Sequence, residues 1–247
     1  MYAAPIRAEA LALLEQGESL SAVARATGVA RSTVREWRDR EPSSGPGACP
    51  RCDDLQIDEE AYAALLGFYL GDGYIARAAR YYFLRISCDL VYPQIIEDVI
   101  GLLDRIRPGG RVFRVPRTGC LDVHSNWMHW PCLFPQHGAG RKHTRPIVLK
   151  PWQLKIVESC PADFLRGLFH SDGSRSINTV TRRFPSGPRT YVYPRWQFVN
   201  VSDDIRGLCA WALDLVEIPW RQSNWRTISV SRRDAVAALD ALIGPKS

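Results

Sequence analysis

One short pattern occurs twice in the chain, 100 residues apart. It reads Leu65-Leu66-Gly67-Phe68-Tyr69-Leu70-Gly71-Asp72-Gly73 and then Leu165-Arg166-Gly167-Leu168-Phe169-His170-Ser171-Asp172-Gly173. Each copy is an apolar run with small residues four apart, closed by Asp-Gly. Residues four apart share one face of a helix. Gly67 with Gly71, and Gly167 with Ser171, therefore give each predicted helix a seam almost bare of side chain. Two such seams allow close backbone approach, the logic of small-xxx-small packing. Packed together, the helices would bring Asp72 and Asp172 to one place at their C-terminal ends. The helix dipole there is also negative. A divalent cation, Mg²⁺ or Mn²⁺, relieves both the dipole and the like-charge repulsion, and carboxylates holding such an ion suit phosphodiester hydrolysis.

Two other readings compete. Either helix could simply end at a glycine in the C′ position, with its Asp solvated. Two copies with the same small-residue spacing and the same Asp-Gly end weigh against that. Gly71-Asp72-Gly73-Tyr74-Ile75-Ala76 also fits a dinucleotide fingerprint. The second copy, Ser171-Asp172-Gly173-Ser174-Arg175-Ser176, lacks that spacing.

At 247 residues the chain can hold one sizeable domain and a small one. Its formal net charge is +6, carried almost wholly by arginine, since only Lys142, Lys150, Lys155 and Lys246 are lysines. Arginine forks match phosphate oxygens, so this balance suits a nucleic-acid partner. Nothing resembles a secretory signal, and no apolar stretch reaches the length of a membrane span. The seven cysteines are an odd, scattered set. A cytoplasmic, DNA-associated setting with reduced thiols is expected. Cys49-Pro50-Arg51-Cys52 has zinc-ligand spacing, but a structural zinc needs two further ligands. Cys120, His124, Cys132 and His137 are candidates, though none supplies a second C-x-x-C.

Residues 6–40 read as three short helices, breaking at Gly17 and at Gly28-Val29. Ser19 or Ser21 can cap the second. Ser32 or Thr33 can cap the third, with Thr33-x-x-Glu36 as a capping box. Val23, Ala24, Gly28, Val29, Val34 and Trp37 fall in the register of a helix-turn-helix, a DNA-binding family that residues 19–40 resemble. The resemblance implies a third helix in the major groove, presenting Arg31, Ser32, Thr33, Arg35 and Arg38 to phosphates or bases. A small all-α domain is thus expected over residues 1–41. Residues 42–54 read as a Pro/Gly-rich linker carrying the two cysteines.

The remainder divides into related halves, 55–160 and 161–247. In the first, helices are expected at 59–70 and 93–107, with strands at 81–87, 111–115 and 121–125. An extended run at 146–149 then leads into a helix after Pro151. In the second, helices at 162–170, 203–215 and 234–243 alternate with strands at 177–182, 190–199 and 227–230. This order, repeated with the motif, suggests duplication.

The paired motifs in that setting resemble the LAGLIDADG homing endonuclease family in its single-chain, two-motif form, over about residues 55–247. The resemblance implies an α+β fold, a duplicated αββαββα arrangement of two pseudo-symmetric halves, here preceded by the small helical domain. It implies a monomer that grips double-stranded DNA with its sheets, and metal-binding carboxylates at Asp72 and Asp172. It also implies a basic residue at the end of the last strand of a half, which maps onto Lys150, with Gln153 beside it to position water. Leu70 and His170 depart from the acidic residue frequent at their position in the motif. Leu70 is expected in the core and His170 near the sheet. Strand and loop arginines, namely Arg77, Arg80, Arg85, Arg111, Arg114, Arg117, Arg182, Arg183, Arg189 and Arg195, would meet the DNA, with Arg141 and Lys142 in a backbone-contacting loop. The function implied is a metal-dependent, site-specific DNA endonuclease. The alternative is a non-catalytic transcriptional regulator that keeps the scaffold for binding.

Overall fold

A computed structural model describes residues 4–39 and 47–246. The chain divides into two compact units, residues 1–57 and 58–247.

In the first unit, α1 (Ala4–Glu15), α2 (Leu20–Thr27) and α3 (Arg31–Asp39) enclose Ala10, Val23, Val29 and Val34, with Leu13, Leu14, Leu20 and Trp37 packed around them. Ser19 caps α2, its hydroxyl accepting from Ala22 N–H at 3.2 Å. Gly28 then reverses the chain at φ +68°, a conformation glycine adopts without steric cost. Because α3 already begins at Arg31, Ser32 and Thr33 lie inside its first turn and do not precede it as caps. Residues 42–46 of the expected linker lie outside the described residues. The cysteine turn is part of this unit: Asp53 accepts from Cys49 N–H and from Arg7 of α1, both at 2.8 Å.

The second unit is built on two packed helices, α4 (Glu59–Asp72) and α8 (Pro161–Asp172). Every residue of α4 from Ala61 to Leu70 is buried, so this helix is a core element with no polar face. Asp58 caps it by accepting from Ala61 N–H at 3.0 Å, and Glu59 and Glu60 oppose the positive end of its dipole. The bare seams meet as the motif spacing predicts. A Cβ placed on Gly67 would collide with the backbone of Phe164 and stand 2.7 Å from Leu168 N. One on Gly167 would collide with the Ala64 carbonyl and stand 2.8 Å from Phe68 N.

Each motif helix opens a half of the same topology. After α4 come β1 (Gly73–Arg77), β2 (Tyr82–Asp89), α5 (Pro93–Ile106), β3 (Val112–Arg117), β4 (Cys120–Trp127), the short α6 (Trp130–Leu133) and α7 (Pro151–Ser159). After α8 come β5 (Gly173–Phe184), β6 (Gly187–Val199), α9 (Asp203–Leu215), β7 (Arg221–Asn224), β8 (Thr227–Val230) and α10 (Arg233–Ile243). The antiparallel sheets run β1-β2-β4-β3 and β5-β6-β8-β7, matching position for position. The α+β class and the duplicated αββαββα order are as expected. Strands β1 and β7 were not foreseen, and β5 begins directly at Gly173. Residues 146–149 form no strand: Ile147 N–H donates to Asp204 of α9 at 2.7 Å.

Period-2 alternation gives each sheet a helix-packed face and a helix-free face. Leu84, Ile86 and Val123 face the helices of the first half, as do Trp196 and Phe198 in the second, both packed on Phe169. Gly167→Ala is expected to destabilise the protein by about 1–3 kcal/mol, because no side chain yields to the added methyl. Gly101→Ala, on the exposed side of α5 with nothing within 4 Å, is expected to leave stability unchanged or raise it. Urea melts of both variants check this, and equal midpoints would contradict the seam.

Candidate metal and nucleic-acid site

Asp72 and Asp172 are the last residues of α4 and α8, and both line one cleft of about 570 Å³. Tyr74, Arg85, Lys142 and Asn200 share its wall. Asp72 opens to solvent there, yet it is hemmed in by protein atoms. Burial, with Asp172 close by, pushes its pKa up to about 6. Asp172 is also held above the ordinary carboxylate range by burial, an effect its bond to Asn200 opposes. Asn200 follows β6 and donates from Nδ2 to Asp172 Oδ2 at 2.6 Å, while its Oδ1 accepts from Ser202 N–H at 2.8 Å. The sheet registers match Ile86 with Phe198, so the position equivalent to Asn200 in the first half is Cys88. Burial raises the Cys88 thiol to about 12, so it stays neutral beside Asp72.

Two lysines serve the carbonyl ends of the motif helices. Lys142 Nζ donates to the carbonyls of Tyr69 (2.6 Å), Gly71 (2.6 Å) and Gly73 (2.9 Å). Lys246 Nζ donates to those of Ser171 (3.0 Å) and Gly173 (2.7 Å). A cation at a helix C-terminus opposes the dipole. Burial lowers Lys142 to about 8, against the pull of Asp172 and Asp72 toward the charged form. Lys246 is lowered for the same reason. Each lysine closes a Gly-x-Lys triplet near the end of its half, Gly140-Arg141-Lys142 and Gly244-Pro245-Lys246. Gly140 and Gly244 have φ of +78° and +74°. That repeated triplet was the available signal.

Several sequence expectations change here. Lys150 is exposed at the N-cap of α7, where its N–H donates to Gln153 Oε1 at 2.9 Å; the lysines at the motif ends are Lys142 and Lys246. Lys142, expected in a DNA-contacting loop, has its ammonium on the carbonyls at the end of the first motif helix. Gln153 is fully buried and donates to Tyr62 OH at 2.7 Å, so its amide is spent inside the core. His170 is buried edge-on to Phe68, with its pKa pushed down to about 4 by burial.

The arginines sort by strand parity. Arg85, Arg117, Arg182 and Arg195 fall on the helix-free faces. Arg114 turns to α5, bonding Glu97 at 2.7 Å, and Arg183 pairs with Pro188 on the opposite face from Arg182. Arg141 is exposed. On α3, Arg31, Ser32, Arg35 and Arg38 are exposed, whereas Thr33 is half-buried. In the first unit Cys52 N–H donates to Cys49 C=O at 3.1 Å, closing a turn around that pair. In the second, His129 Nδ1 and Cys132 Sγ stand 3.7 Å apart.

Residues 2–45 match the family model of a homeodomain-like domain. The N-terminal segment is homeodomain-like. Among solved structures, the chain is similar to the homing endonuclease I-DmoI in complex with DNA and Ca, at 11% identity and a TM-score of 0.47, over 77% of this chain and 92% of that one. The LAGLIDADG meganuclease I-AabMI bound to uncleaved DNA matches at 12% and 0.46, over 73% and 82%. Full-length DUF199/WhiA from Thermatoga maritima matches at 15% and 0.48, over 75% of this chain and 55% of that one. No curated protein matches the sequence. The similarities to solved structures are remote, and the duplicated fold stands on this chain's own elements and registers.

The Asp72 carboxyl is expected to titrate near pH 6 in the metal-free protein, and Asp172→Asn is expected to lower that value by removing a like charge. Carboxyl carbon shifts followed by NMR measure both. The sign for stability follows from linkage. A folded pKa above the unfolded value means the folded state binds more protons between pH 4 and 6, so this group adds stability as pH falls through that window.

Proposed function

We propose that the chain binds double-stranded DNA and hydrolyses phosphodiester bonds in it at a specific site, with divalent metal held between Asp72 and Asp172. The observation that carries this reading is the convergence of both carboxylates, from two pseudo-symmetric helices, on one open cleft beside the helix-free face of a sheet. The donor set fits a hard cation. Asp72 and Asp172 are oxygen ligands, and among the described residues neither carboxylate forms an ion pair, the nearby ammonium groups bonding to backbone carbonyls instead. Bound Mg²⁺ or Mn²⁺ would supply charge stabilisation at the phosphate and acidify a coordinated water. The protein's own groups supply the rest. Asn200 fixes the orientation of Asp172. Lys142 and Lys246 hold the motif-helix carbonyls in place and bring positive charge to where the phosphate charge grows. Exposed arginines on the sheets and on α3 bind the backbone and give the affinity a steep salt dependence. Zinc at Cys49 and Cys52 is the second cofactor proposed, and metal analysis of the purified protein tests it.

A second reading has its own support. The two ammonium groups already stand beside the acids and oppose the helix dipoles without any metal. If they suffice, the scaffold binds DNA as a regulator and does not cut it.

Selection of bound duplexes from a random pool, followed by incubation in Mg²⁺ or EDTA, separates the two. Cleavage in Mg²⁺ alone is expected. Asp72→Asn and Asp172→Asn should each reduce it by about two orders of magnitude or more while binding persists. Specific binding with no cleavage in Mg²⁺ or Mn²⁺ would favour the regulator.

A further inference from the structure

The helix-free face of the first sheet carries a buried carboxylate, an odd feature for a surface proposed to meet phosphates. Asp122 on β4 is only 3% exposed. It accepts from Ser87 Oγ at 2.6 Å and from Arg117 Nε at 3.1 Å. Arg85 Nη1 stands 3.8 Å away and His124 Nε2 3.7 Å away. Period-2 alternation puts all five residues on the same face, since Ser87 pairs with Asp122 and Arg85 with His124. The neighbours are themselves braced. Arg85 lies over the Tyr74 ring at 5.7 Å, and His124 stacks on Phe83 at 5.7 Å. Arg117 spends Nε on the carboxylate, and its terminal nitrogens take no partner among the described residues; the side chain is 53% exposed.

A carboxylate here subtracts from phosphate affinity, so bulk electrostatics does not explain it. It does tie the Nε edge of Arg117, leaving the terminal nitrogens to face a partner, and a guanidinium tied at one edge is a directional reader. The terminal donors of a fixed arginine match O6 and N7 of guanine in the major groove. We infer that Asp122 is a positioning residue for base recognition, holding Arg117, with Arg85 braced beside it, to select a guanine in the half-site bound by the first sheet. This rests on the DNA-binding reading above.

The test is duplex selection from a random pool by the full chain, run in parallel for wild type, Arg117→Gln and Asp122→Asn. Affinities for the selected site and for versions with that base pair changed then follow. Wild type is expected to recover one guanine and to discriminate against its replacement by about tenfold or more. Arg117→Gln, at an exposed position, should fold normally and lose that preference alone. Asp122→Asn should lose discrimination while binding unrelated duplex as tightly as wild type or more tightly. A merely structural role would weaken all duplexes together. Retention of the guanine preference by Arg117→Gln, or equal loss on every sequence in Asp122→Asn, overturns the inference. Failure of wild type to bind any duplex would instead remove the DNA-binding reading itself.

Discussion

The near-contact of two helix backbones is the constraint on which the second unit depends. Glycine at 67 and 167 removes the side chains that would separate α4 from α8, and Phe164, Leu168, Ala64 and Phe68 approach through backbone atoms. That approach decides where the chemistry sits. Each helix ends on its Asp and passes directly into a strand through Gly73 or Gly173. A longer distance between the axes would separate the carboxylates and dissolve the cleft they share. The packing that closes the core therefore also concentrates negative charge at one point.

How the protein manages that charge is asymmetric. Both motif ends receive a lysine, but among the described residues only Asp172 receives an amide partner. Cys88, at the matching position in the first half, offers Asp72 a neutral thiol. The halves are thus alike in fold and unlike in their chemical surroundings. The second half also has the longer hairpin, with strands of 12 and 13 residues carrying Arg182 and Arg195. Two sheets of one topology present different faces to any partner.

Much of this was legible in the sequence because its signals are local. Small residues four apart and a terminal Asp-Gly define each motif helix, and glycine at 28 with apolar residues at 23, 29 and 34 defines the helical domain. Strand β1 escaped notice because five residues opening on Gly73 show too little alternation. The lysines at the motif ends are hidden in the sequence for a different reason. The apolar run Ile147–Leu149 predicts a strand ending on Lys150, but the Ile147 N–H is taken by Asp204 of the other half. Lys142 and Asn200 reach the acids from loops distant in sequence, and only the folded topology brings them there. Asp122 was invisible for the same reason, since an acid on a strand looks like surface until its four partners converge.

The most direct test of the account is anomalous scattering from Mn²⁺ in crystals of the complex with a selected duplex. A peak between the Asp72 and Asp172 carboxylates, next to a DNA phosphate, is the expected result. Bound DNA with no such peak, and Lys142 still seated on the carbonyls of Tyr69, Gly71 and Gly73, would contradict it.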